Sequence, residues 1–396
     1  MYRAGTRDDP AGRPGLAHLA EHVFLQDLAR AGRSDLGTAL RGWGAHTLTD
    51  TTEFSVTCHP SGVAGALDAL VPAHAPARAT ERTVESQRRV VVEELAALDA
   101  TPRGGGVWRH LPQTLFADWS LRHDGFGAAS DVESLGASEV ADFLGSRYTW
   151  SQCAVAVLAD DVERTWREIR ESPVGCRVHR GDAEALGTPP ARRDGTAGSV
   201  AGPLARPIGA DYFAWRLPLA PELCHQGDVL AFCAALNELV ARHAEVFAAL
   251  GYATPRVGPG FFDYTRATPP WVAVVVADHL PDGDRRAAGL WPALRTLALQ
   301  HYTRELHDDA ARAAGGGLAF ELADPTQQSL AIARQVALGG RPSTTWPELT
   351  TPSEASFVRC RGMVPVLPAL PDGTVIGTGR TDPLDPRRSD DVRVMR

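Results

Sequence analysis

Lysine is absent from this 396-residue chain, so all 40 basic residues are arginines. A Walker-type phosphate loop is therefore excluded, because its lysine must reach the nucleotide phosphates. With abundant alanine and glycine, the arginine bias reflects genomic base composition more than chemistry. Cysteine is sparse. The six cysteines, Cys58, Cys153, Cys176, Cys224, Cys233 and Cys360, are widely spaced and form no C-x-x-C pair. That argues against a cysteine zinc site or a disulfide framework. No charged-then-apolar leader opens the sequence, and no apolar run reaches the ~18 residues of a membrane span. A cytoplasmic location with no membrane partner is the expectation. Cationic excess is lacking too: a net charge of −8 argues against nonspecific nucleic-acid binding. What remains is 44% hydrophobic, enough for an ample core, in a length that suggests two or three domains.

Against this background, the run His18-Leu19-Ala20-Glu21-His22 stands out. On a helix, residues three and four apart share a face, so two imidazoles and one carboxylate point the same way. Two histidines four apart can reach one metal ion, and zinc takes nitrogen and oxygen ligands in a tetrahedral shell. The carboxylate between them can accept a proton from a metal-bound water. H-x-x-E-H is a hydrolytic zinc pattern, the inverse of H-E-x-x-H. A solvated helix face that happens to carry two histidines would look the same.

A second carboxylate is oddly placed. Val84, Gln87, Val91, Leu95 and Leu98 recur at spacings of three and four across Thr80–Asp99, which predicts a helix with a core-facing stripe. Glu94 falls on or beside that stripe. Glu93 lies about 100° around the helix and four residues after Arg89, as expected for a solvated ion pair. A buried carboxylate is costly unless it is paired or binds a metal. Glu94 therefore either meets an arginine or completes a His2Glu shell with an open water position.

The stretch from Gly5-Thr6-Arg7-Asp8-Asp9 through His22, with Val90-Val91-Val92-Glu93-Glu94-Leu95 downstream, resembles the M16 metallopeptidases. These are the pitrilysin, insulin-degrading and mitochondrial-processing peptidase family. The resemblance implies one Zn2+ held by His18, His22 and Glu94, with Glu21 as general base. It continues through Trp43-Gly44-Ala45-His46-Thr47 to Phe54, similar to the family's substrate-pairing strand, which makes His46 and Thr47 substrate-binding candidates. More weakly, it covers Pro207–Pro342, where Leu250-Gly251-Tyr252-Ala253 offers Tyr252 as the tyrosine that holds substrate carbonyls. There are departures. Gln87 stands where the family often has a glutamate. The usual asparagine before the substrate strand's alanine is missing. No arginine occupies the expected position near Phe247, and Arg242 is more than a helical turn away.

The implied fold is α+β, with two related units, each a mainly antiparallel sheet packed against helices. The first unit is expected to be shortened at its amino end. Helices are expected over Leu16–Ala31, Val63–Val71, Thr80–Leu98, Ser138–Leu144 and Asp161–Arg170, with extended segments at His46–His59 and Cys153–Leu158. Residues 1–180 form the zinc-binding catalytic domain, and 181–206 read as a linker. Residues 207–340 form the second domain. It has strands Tyr212–Leu217 and Trp271–Ala277 and a long helix Gly227–Leu250, while Gly315-Gly316-Gly317 reads as a loop. Residues 341–396 read as an extended, partly disordered tail.

The expected activity is zinc-dependent endopeptidase action on short or unfolded polypeptides. The rival reading is a catalytically silent or regulatory scaffold subunit of a paired complex. The missing arginine points to a homologous partner subunit that supplies an arginine-tyrosine pair.

Overall fold

The computed structural model describes residues 1–31, 40–70, 79–100, 109, 112, 115–116, 118–172, 175, 210–217, 226–259, 272–281, 286–337, 351–364 and 373–376. The expected linker at 181–206 lies outside them. The first unit carries α1 (Leu16–Ala31), β1 (Leu40–Thr47), β2 (Thr52–Cys58), α2 (Val63–Leu70), α3 (Glu81–Ala100), α4 (Trp119–Arg122), α5 (Ala129–Ser134), α6 (Ala137–Arg147) and α7 (Val162–Glu171). The second carries β3 (Ala210–Arg216), α8 (Gln226–Arg242), α9 (Ala244–Ala248), β4 (Arg256–Pro259), β5 (Val272–Asp278), α10 (Ala287–His301), α11 (Arg304–Glu321), α12 (Pro325–Ala337), α13 (Glu354–Met363) and β6 (Gly373–Ile376). The architecture is α+β, as the sequence implied. No described helix is long and apolar enough to cross a membrane.

Helix α1 forms because Leu16, Leu19, Ala20, Val23 and Phe24 make one buried stripe. Each buried leucine or phenylalanine contributes about 1.5–3 kcal/mol. The helix starts on Asp9, whose carboxylate accepts the Gly15 and Ala17 amides at 2.8 Å each and so satisfies donors the first turn leaves open. Gly15 itself has φ +88°, and a Cβ there would sit 2.4 Å from the Phe126 carbonyl oxygen. Helix α3 buries Thr83, Val84, Gln87, Val91 and Leu95, the stripe its spacing predicts. Behind both, Tyr2 stacks on Tyr148 at 4.3 Å and meets Phe24 and Phe54 edge-on.

The extended segment expected at His46–His59 is instead the second half of a hairpin. Strands β1 and β2 pair antiparallel from Thr47↔Thr52 to Leu40↔Cys58. The turn closes where the Leu48 amide donates to the Thr51 carbonyl, 2.7 Å, and Arg7 holds Asp50 at 3.0 Å. The strand expected at Cys153–Leu158 is reduced to one bridge, Cys153 with Tyr2. Met1 and Arg3 bond to the backbone of Ala154 and Gln152 on either side of it. Residues 155–158 line a cleft of about 210 Å³ together with residues 54–58 of β2, Val63, Leu67, Leu70, Leu330 and Ala333.

In the second unit, four antiparallel strands lie in the order β4-β5-β3-β6. Phe213, Trp215, Phe232, Trp291, Leu294 and Met363 are among the residues of its core. The long helix expected at Gly227–Leu250 breaks at His243, whose φ of −124° and ψ of 36° separate α8 from α9. The three glycines read as a loop lie inside α11, carried by the buried Leu306, His307, Ala310 and Ala311 of the same helix. Part of the expected tail is ordered into the unit. Helix α13 buries Cys360 and Met363, and β6 pairs with β3. The units meet where Arg334 of α12 donates to the buried Glu53 of β2, 2.8 Å.

Candidate metal centre

Helix α1 presents His18, Glu21 and His22 on one face, and α3 crosses it with Glu94. The Glu94 Oε2 lies 3.6 Å from His18 Nε2 and 3.4 Å from His22 Nε2. One ligand atom from each of the three lies within 4.8 Å of the others, the sole cluster of this kind among the described residues. Metal–ligand bonds of 2.0–2.2 Å at tetrahedral angles separate ligand atoms by about 3.3–3.6 Å, so the N/N/O set is already near the spacing a zinc-like ion requires. The rings of His18 and His22 meet edge-to-face at 4.8 Å, and Phe126 closes on His18 at 4.9 Å.

Electrostatics prepare each group differently. Burial pulls the His18 pKa down to about 4, helped by the His22 charge and opposed by Glu94. His18 therefore stays a neutral donor at physiological pH. His18 Nδ1 is buried and without a hydrogen-bond partner. His22 moves the other way. Burial would lower it, but the hydrogen bond to Glu94, the charges of Glu21 and Glu94, and a hydrogen bond with Gln87 together raise it. Glu94 is held below the usual carboxylate range, chiefly by its hydrogen bond with His22. It is not a core residue: its side chain is 43% exposed, because it sits beside the stripe between Val91 and Leu95. Glu93 is exposed, as expected. The ion pair expected from Arg89 goes instead to Glu85, 2.9 Å.

Glu21 is buried, which raises its pKa, tempered by a hydrogen bond from Thr47 and by the charges of His22 and His46. The Thr47 hydroxyl donates to Glu21 Oε2 at 2.6 Å, so Thr47 orients this carboxylate. His46, next to it on β1, is exposed and acts on both Glu21 and Glu94 through its charge. Tyr252 is elsewhere. It is fully enclosed in the second unit's core, its hydroxyl donates to the buried Asp211, and its ring meets that of His279 edge-on at 5.8 Å. His279 Nε2 in turn lies 3.1 Å from Asp211 Oδ1. Phe247 is buried, and Arg242 pairs with Glu238 at 2.8 Å. Sequence reasoning missed Asp9 as the cap of α1, Thr47 as the partner of Glu21, and Phe126 as the wall on His18. Thr47 and Phe126 each join elements far apart in the chain. Asp9 acts within its own segment, but it stands seven residues ahead of Leu16, outside the usual N-cap spacing.

Residues 2–124 match the family described as Insulinase (Peptidase family M16). Over 157 residues, 38% of this chain, the sequence is 24% identical to the mitochondrial ubiquinol-cytochrome-c reductase complex core protein I of Euglena gracilis. The match spans about a third of that relative's length (32%). A protease from Helicobacter pylori shares the fold with a TM-score of 0.68 at 13% identity, over 94% of this chain and 91% of the other. A chain of complex III2 from Candida albicans does so with a TM-score of 0.63 at 14% identity, over 92% and 86%. The family match runs from Tyr2 to Asp124, and the solved structures share the fold. Of these two structures, one is named a protease and the other a chain of complex III2.

Proposed function

We propose that this chain is a zinc-dependent endopeptidase acting on short or unfolded polypeptides. The observation that carries the reading is the convergence of Glu21 with a closed set of three metal-ligand side chains, His18, His22 and Glu94. One Zn2+ held by those three would supply Lewis acidity toward a peptide carbonyl and toward water. Glu21, poised upward in pKa by burial, takes the proton from the attacking water and returns it to the leaving amine. Thr47 keeps its carboxylate aimed. Strand β1 supports substrate binding by β-strand addition. Thr52 exchanges both its backbone hydrogen bonds with Tyr2, so by alternation Glu53 and Ser55 bond to His46 and Gly44. The amides and carbonyls of Ala45 and Trp43 are left facing outward, and among the described residues β1 pairs only with β2.

The second reading is a silent or regulatory scaffold subunit. It draws on the Euglena core protein relative and on the enclosure of Tyr252. Zinc content separates the ligand assignment from chance. Glu94→Ala is expected to lose zinc, and Glu93→Ala to keep it, by elemental analysis of the purified proteins. Equal retention in both variants overturns the third ligand.

Proton release tests the same shell. Ligands bind metal only when deprotonated. Between pH 5 and 7, His18 is already neutral, with its pKa at about 4, and Glu94 is already ionised because its pKa is lowered. The raised pKa of His22 makes it the group that competes with metal. Zinc affinity should therefore fall about tenfold per pH unit once pH drops below the His22 value, with one proton released per zinc. Calorimetry in buffers of different ionisation heat reads that proton count. A slope near zero, or near two, contradicts the assignment of states.

A further inference from the structure

On β1 an exposed indole continues the face that carries Thr47. Side chains two and four apart on a strand share a face, so Trp43, Ala45 and Thr47 point the same way. Thr47 reaches Glu21, and Ala45 packs against the first unit's core. Trp43 runs past the cover of that core and is 58% exposed, without a ring contact or hydrogen bond among the described residues. It is also flanked by Gly42 and Gly44, which leave the backbone beside it accessible. At about 3.3–3.4 Å per residue, the indole stands roughly 13 Å along the strand from Thr47.

We propose that Trp43 forms an apolar subsite that selects a bulky hydrophobic side chain four residues along a bound peptide from the residue opposite Thr47. The proposal rests on the peptidase reading for the placement of the reacting bond near Glu21, and on the open edge of β1 for the register. A peptide paired on that edge sets its side chains opposite Thr47, Ala45 and Trp43 on the shared face, two residues apart. The first of these meets the Glu21 end of the strand. The second meets a small alanine and gains little. The third meets an indole already exposed to water, and covering it buries apolar area on both partners. Substrates of this site would be extended segments carrying an aromatic or large aliphatic residue at that distance from the cleaved bond, with no demand for charge there.

The experiment uses the full chain loaded with zinc and carrying Glu21→Gln to suppress turnover. Twelve-residue Ser/Gly/Ala peptides, each with one phenylalanine at a successive position, are titrated against it. The expected result is a peptide, or a pair of register-shifted peptides, that binds about tenfold more tightly than the phenylalanine-free parent. Trp43→Ala should remove that preference, and Trp43→Phe should keep it. In the wild-type enzyme, kcat/KM for the same peptide should fall by the same factor in Trp43→Ala, with zinc content unchanged and the cut four residues from the phenylalanine. Equal binding of all peptides, no binding at all, or a preference that survives Trp43→Ala overturns the subsite. A preference lost in Trp43→Ala, in a protein that cleaves none of the peptides, supports the subsite while the hydrolytic reading fails.

Discussion

Replacing Glu21 by glutamine is expected to leave one zinc per chain and to lower kcat by roughly 10²–10⁴-fold, the scale of a lost general base. The substitution is nearly isosteric. The glutamine carbonyl oxygen can still accept the Thr47 hydroxyl bond that Glu21 accepts at 2.6 Å, and the three ligand side chains belong to other residues. Only the capacity to hold a proton is lost. Removal of a buried carboxylate whose pKa burial raises does not cost folding stability, so the expected defect is kinetic. In the wild type, the acid limb of the kcat/KM profile should follow Glu21. Activity is present while this group is ionised and falls as pH drops through its raised pKa. With zinc held saturating across the pH range, that limb should disappear in Glu21→Gln. Hydrolysis at the wild-type rate by the variant would remove Glu21 from the mechanism. A wild type that holds zinc but cleaves no peptide, alone or paired, would favour the scaffold reading.

The grouping of His18, His22 and Glu94 was legible from sequence because helices translate spacing into geometry. His18, Glu21 and His22 needed only the i, i+3, i+4 rule, whereas Glu94 needed the M16 resemblance beside the stripe of Val84, Gln87, Val91 and Leu95, because the stripe alone left an arginine partner open. Strands were read less well, because their existence depends on neighbours. Nothing local in Cys153–Leu158 says that it forms a single bridge, with Tyr2. The apolar alternation of Phe54 and Val56 marked β2 but not β1, where Gly42 and Gly44 on either side of Trp43 lower the strand propensity. Proline-rich sequence after Arg341 suggested disorder. Yet Cys360 and Met363 fill the second unit's core, and Asp228 fixes that helix by accepting bonds from Ser356 and Arg359 at 2.7 Å each. Such contacts span more than 120 residues and leave no local periodicity. The bond from the Thr47 hydroxyl to Glu21 was not legible for a similar reason, because it joins β1 to a helix 26 residues upstream.

The isolated chain is expected to bind zinc yet cleave slowly, and to gain about 10²-fold in rate when mixed with a homologous partner that presents an arginine-tyrosine pair. The reason lies in what the second unit withholds. Tyr252 is enclosed, with its hydroxyl on Asp211. Freeing it for a substrate carbonyl would take a hydrogen bond from a carboxylate in the core, which is unfavourable by roughly 1–3 kcal/mol or more. Phe247, where an arginine would be needed, is apolar and buried, and Arg242 is paired with Glu238. A second copy of this chain repeats the same deficits, so self-association cannot repair them; a different chain can. Without that clamp, a peptide lying on β1 is held along one edge only. Its scissile carbonyl then wanders relative to Glu21 and the ligand cluster, and a misplacement of about 1 Å costs on the order of 10²-fold. Co-purification of tagged chain with its partner, followed by turnover of one peptide at fixed zinc, reads the effect. Full activity from a monodisperse monomer of this chain alone would refute the requirement for a partner.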